Sequence, residues 1–204
     1  MTRSLWVGLL LLATGACTTL PERTYYPDPA SPETRVLAEA LWRATKAASD
    51  DPNEYSFAMI RSHHVATYTV EDATFYFTQG LARQPAEVVD ALVAHEVAHE
   101  LLGHIGQRRA LALSLGASLI DVLANPLIVR GFTRDQEIAA DLKAVEVLRD
   151  MGYKTPRRAM ADALRAAAKV NGRPRGGWLA TEPALEDRLG RLEPLEADAK
   201  QVAK

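Results

Sequence analysis

An α+β fold, mainly helical, follows from three features of the chain. Several long stretches repeat apolar residues every three to four positions, as amphipathic helices do. Residues 55–78 break that rhythm with β-branched and aromatic residues, as short strands do. Cys17 is the only cysteine, so neither an internal disulfide nor a cysteine metal site holds the fold together. A hydrophobic content of 48% with 25% charged residues is that of a globular chain, and its 204 residues suit one domain with tails. The net charge of -2 gives no reason to expect nucleic acid.

Arg3 precedes a short apolar run, Leu5 to Ala13, which has the shape of a signal peptide and is too short to span a bilayer comfortably. The run ends Ala13-Thr14-Gly15-Ala16-Cys17, which resembles a bacterial lipobox with Thr14 where Leu is usual. The resemblance implies lipidation at Cys17 and an anchored protein on the periplasmic side of the envelope. Thr18 after the cysteine points to the outer membrane. The plainer reading is a secretory signal with a stray cysteine. The expected organisation is a signal peptide over 1–16, a lipidated tether over 17–31, a folded domain over 32–196 and a polar tail over 197–204.

Ser31-Pro32-Glu33 reads as a helix start, with an N-cap and Pro in the first turn. Val36, Leu37, Ala40, Leu41 and Ala44 form its stripe. Short strands are expected at Phe57–Ile60, Val65–Val70 and Thr74–Phe77, forming a small antiparallel sheet. His63 and His64 fall at a turn and read as exposed. Pro85 opens a helix whose apolar side includes Val89, Leu92, Val93 and Val97. Leu111 to Val129 is very apolar but carries Asp121, Asn125 and Pro126, which favours a buried hairpin over a membrane-dipping or partner-binding segment. Thr133 and Gln136 fit a capping box for a helix ending at Gly152, with Ile138, Leu142, Val145 and Leu148 as its core stripe. Helices from Pro156 and from about Pro183 complete the chain.

His95-Glu96-Val97-Ala98-His99 lies well inside the helix that Pro85 opens. Two imidazoles at i and i+4 share one helix face and can hold one zinc ion, with a carboxylate between them to handle water. A catalytic zinc site wants a third protein ligand and an open position. His104 misses the metzincin spacing by one residue. Glu137, on a separate helix, is the better candidate, with Asp141 one turn on to hold a ligand histidine. At this point a solvated acidic face remains an equally good reading of Glu137 and Asp141.

The order of these pieces resembles the gluzincin peptidases of the HtpX and CAAX-prenyl-protease type, peptidase family M48. Their pattern is a strand, a Gly-Leu step, H-E-x-x-H on one helix and E-x-x-x-D on a later one. Here these are Val65-Ala66-Thr67-Tyr68, Gly80-Leu81, His95 to His99, and Glu137-Ile138-Ala139-Ala140-Asp141. The resemblance implies a zincin-like domain whose sheet packs on the H-E-x-x-H helix. It implies one zinc ion per chain on His95, His99 and Glu137, with Glu96 as general base and then acid. It implies an endopeptidase whose strand near Val65 to Val70 pairs with an extended polypeptide substrate. Arg188 stands where the family has an arginine, which implies a group that stabilises an oxyanion, and a surface salt bridge is an equally good reading of it. Two positions depart from the family. Its Asn-Ala-Phe strand signature is Ala66-Thr67-Tyr68 here, and its Thr-His-Pro signature is Thr181-Glu182-Pro183. Glu182 is therefore a candidate gate or fourth metal ligand. The expected task is cleavage of unfolded or misassembled envelope proteins. The alternative is a metal-binding chaperone or assembly factor without proteolytic activity.

Overall fold

The computed structural model describes residues 24–71, 73–107, 110, 132–172 and 183–197. The signal peptide, Cys17, the apolar segment 111–129 and Glu182 lie outside these residues. Among the described residues, no helix is long and apolar enough to cross a membrane.

Helix α1 spans Pro32–Ala47, α2 Gln79–Ala82, α3 Ala86–Leu101, α4 Arg134–Asp150, α5 Pro156–Asn171 and α6 Leu185–Leu192. Strands β1 (Thr24–Tyr25), β2 (Ser56–Ile60), β3 (Thr67–Glu71) and β4 (Thr74–Thr78) form one sheet in the order β1-β2-β4-β3. The α+β, mainly helical class stands. The sheet is mixed rather than wholly antiparallel, because β2 and β4 run parallel. The crossover between them includes β3, which turns back to pair antiparallel with β4. Thr24 and Tyr25, in the stretch expected to be tether, pair antiparallel with Ile60 and Met59.

The helix starts are chemically explicit. Ser31 caps α1 through the Thr34 N–H, and Thr133 and Gln136 close a reciprocal capping box on α4. Helix α3 has no solvent face along most of its length, since every residue from Val88 to His99 is buried. It is the central helix, packed against α1, α4 and α5. A helix so enclosed needs small and apolar neighbours, and α4 supplies Ala140, Ala144, Val147 and Leu148. The expected α4 stripe holds at Val145 and Leu148, which are buried, and fails at Leu142. Leu142 is 37% exposed, because the first half of the helix buries Glu137, Ala140, Asp141 and Ala144. Val36 on α1 is likewise turned outward.

Two polar knots lock the frame around α3. Asp90, buried in α3, accepts from Arg43 of α1 and from the Tyr153 hydroxyl at 2.7 Å. Burial and the Asp90 contact push the Tyr153 phenol well above its ordinary value. The second knot joins sheet to helix. Thr78 Oγ1 donates to the His64 carbonyl at 2.7 Å and accepts from the Leu81 and Ala66 N–H groups. Gly80 N–H donates to the Ser62 carbonyl at 2.9 Å. The Gly-Leu step has its reason here. A Cβ on Gly80 would lie 2.2 Å from the His64 oxygen and 2.3 Å from the His63 oxygen. Both atoms are backbone and cannot rotate away. Gly80→Ala should thus lower stability by about 3 kcal/mol, read as a lower denaturant midpoint at unchanged slope.

Candidate metal centre

Helix periodicity puts His95 and His99 on the α3 face toward α4, and the capped start of α4 puts Glu137 opposite them. His95 Nε2 lies 3.1 Å from His99 Nε2 and 3.4 Å from Glu137 Oε2, and His99 Nε2 lies 3.8 Å from Glu137 Oε1. Their ligand atoms all fall within 4.8 Å of one another, and all three residues are buried. Donors placed tetrahedrally at 2.0–2.1 Å from an ion stand about 3.3 Å apart, so the separations suit a shared cation. The solvated acidic face is excluded, since Glu137 and Asp141 are 8% and 0% exposed.

Each imidazole is held by its other nitrogen. His95 Nδ1 lies 3.0 Å from Asp141 Oδ1, and His99 Nδ1 lies 3.0 Å from His104 Nδ1. Such contacts fix the ring and its tautomer and leave Nε2 for the metal. The His99 ring also stacks on Phe132, with centroids 3.6 Å apart. His104 is thus a neighbour of the site, and burial lowers its pKa. His63 and His64 are exposed at their turn, as expected.

Arg188 reaches the site from α6. Its Nε and Nη2 grip Asp141 at 2.7 and 2.5 Å, and its Nη1 lies 3.4 Å from Glu137 Oε2. Burial alone would raise the Asp141 pKa, but the bonds from Arg188 and His95 hold it below its ordinary value. Burial alone would lower that of His95. Hydrogen bonds to Asp141 and Glu137 reverse this and raise it to about 9. Glu96 stands beside the ligands with both carboxylate oxygens accepting from hydroxyls of Thr67 and Thr69 on β3. Three ionised carboxylates, Glu96, Glu137 and Asp141, against the one guanidinium of Arg188 leave two negative charges when the imidazoles are neutral. A buried site with that imbalance suits a divalent cation.

The model of peptidase family M48 matches residues 31–196. The chain belongs to peptidase family M48. It is therefore a metallopeptidase that acts on polypeptides, in a family that depends on metal, and its His-His-Glu cluster is where a metal can bind. No curated protein matches the chain.

Three contributors to this M48 site were missed by sequence reasoning. Thr67 and Thr69 carried a readable signal, a period of two in an expected strand. Phe132 follows a stretch with no periodic cue. Asn171 is a fourth residue of this kind, one step further out. Its side chain bonds both backbone groups of Val65, at 2.8 and 2.6 Å, and ties α5 to the start of β3.

The His95 pKa near 9 has a direct consequence for loading. At neutral pH the metal-free site holds a proton that a ligand histidine must lose. Metal uptake at pH 7 should release about one proton, and affinity should rise with pH until about 9 and then level. Calorimetric metal titrations in buffers of different ionisation enthalpy read the proton count directly.

Proposed function

We propose that this protein is a zinc endopeptidase of the cell envelope, anchored through lipid on Cys17 at the periplasmic face of the outer membrane. On this reading it cleaves unfolded or misassembled envelope polypeptides. The observation that carries the catalytic part is the Glu96 carboxylate, held on the same buried helix as His95 and His99. The family match favours this over the chaperone reading. Two imidazoles and one carboxylate are a donor set suited to zinc, with a position left for water or substrate.

Bound zinc would supply a Lewis acid that makes water acidic and polarises a peptide carbonyl. Glu96 takes the proton of the attacking water and hands it to the leaving amine. His95, His99 and Glu137 would hold the ion, and Asp141, 3.0 Å from His95 Nδ1, would keep that ring in its ligating tautomer. Arg188 gives two of its nitrogens to Asp141, which supports a positioning role ahead of oxyanion binding.

Strand β3 supports the substrate part of this reading. It ends the sheet order among the described residues. The Ala66 carbonyl accepts from the Thr78 N–H at 3.2 Å, so the polar backbone groups of Ala66 face β4. By alternation those of Thr67 face the outer edge, where an extended peptide can add as a strand. The Asn171 amide sits on that same edge at Val65 and marks one end of the platform.

Full-chain protein loaded with zinc should cleave labelled casein, stop in the presence of a chelator and recover on zinc addition. Glu96→Gln should bind zinc equally well and cleave about a thousandfold more slowly. Cleavage at the wild-type rate by that variant would refute the mechanism. The anchor has its own test. Cys17→Ala should lose incorporated palmitate and leave the membrane fraction, and a variant that stays in that fraction would refute the lipid anchor.

A further inference from the structure

Thr67 Oγ1 donates to Glu96 Oε1 at 2.5 Å, and Thr69 Oγ1 donates to Glu96 Oε2. The two threonines are alternate residues of β3, so their side chains leave the same face of the strand, toward α3. Thr69 and Glu96 are each 5% exposed. A carboxylate held through one oxygen still turns about its last torsion, where the preference is broad. Hydroxyls on separate oxygens fix the plane of the group. Hydrogen bonds to an ionised acceptor are the strong kind, which suits this holding task. Each oxygen keeps a further acceptor position, so the clamp leaves Glu96 able to take a proton. The strand that lacks the family's asparagine thus carries a different device at the next residue and two beyond it.

We infer that Thr67 and Thr69 are positioning residues for Glu96, so that β3 aims the base while its outer edge receives the peptide. The inference rests on the reading of Glu96 as general base. It adds that the direction of the carboxylate comes from the sheet rather than from the helix that carries it. The blander role for the hydroxyls is solvation of a buried carboxylate, which would affect folding and leave turnover alone.

Thr→Val keeps the shape of the side chain and removes the hydroxyl, and Thr→Ser keeps the hydroxyl. Zinc-loaded full-chain protein is assayed on labelled casein for kcat and KM, with zinc affinity by competition and a thermal melt beside them. Thr67→Val and Thr69→Val should each lower kcat about tenfold, and the double variant about a hundredfold. KM and zinc affinity should stay within about twofold of wild type. Thr67→Ser and Thr69→Ser should return kcat to within about threefold. Should the double Val variant melt below the assay temperature, the two single variants and the Ser pair carry the test. Unchanged kcat in the Val variants, with Glu96→Gln inactive, overturns the clamp and leaves the peptidase reading standing. Lost zinc affinity or raised KM at constant kcat also overturns it. Full cleavage by Glu96→Gln sinks the underlying reading instead.

Discussion

The structure depends on keeping three carboxylates, Glu96, Glu137 and Asp141, out of water beside one helix. An isolated buried carboxylate is too costly to remain charged. Each therefore has a partner: Thr67 and Thr69 for Glu96, the histidines and Arg188 for Glu137, Arg188 and His95 for Asp141. The partners come from β3, α3 itself and α6. The sheet, the central helix and the last helix are all needed to satisfy one cluster.

That requirement explains the packing around it. The buried face of α4 carries acids and alanines in its first half and Val145, Val147 and Leu148 in its second. Glu137 and Asp141 point at the imidazoles, while Ala140 and Ala144 let the two helices approach. Larger apolar residues at the alanine positions would strengthen burial but push the carboxylate away from the nitrogens. A cluster of paired charges is weak as a source of stability, and apolar isosteres often hold a core as well or better. Phe75, Phe77, Leu37 and Met59 elsewhere in the core supply the burial that offsets its cost.

Much of this was legible in the sequence, for physical reasons. The His-Glu-x-x-His spacing is local, so the helix period alone brings its members together. The caps at Ser31 and Thr133 are local too, and both helices begin where those residues imply. The parallel pairing of β2 with β4 was not legible, because it joins segments through an intervening strand and leaves no mark on either. The exposure of Leu142 was hidden for a related reason. A pattern of apolar residues marks Leu142 as core, and only the position of α3 reveals that the buried face carries acids. The nature of the strand's contact with Glu96 needed the sheet and helix in place together.

Asn171 is followed by Gly172, whose φ of 83° no β-carbon opposes. An asparagine before glycine is the pairing most open to attack by the next backbone nitrogen on its own side-chain amide, a slow reaction that releases ammonia on ring closure and leaves a carboxylate once water opens the ring. Here the amide nitrogen at risk is the one that donates to the Val65 carbonyl. Its replacement by a carboxylate oxygen turns a bond into a repulsion between two acceptors. A preparation that aged at this residue would lose the anchorage of β3 while the His95, His99 and Glu137 cluster stayed intact.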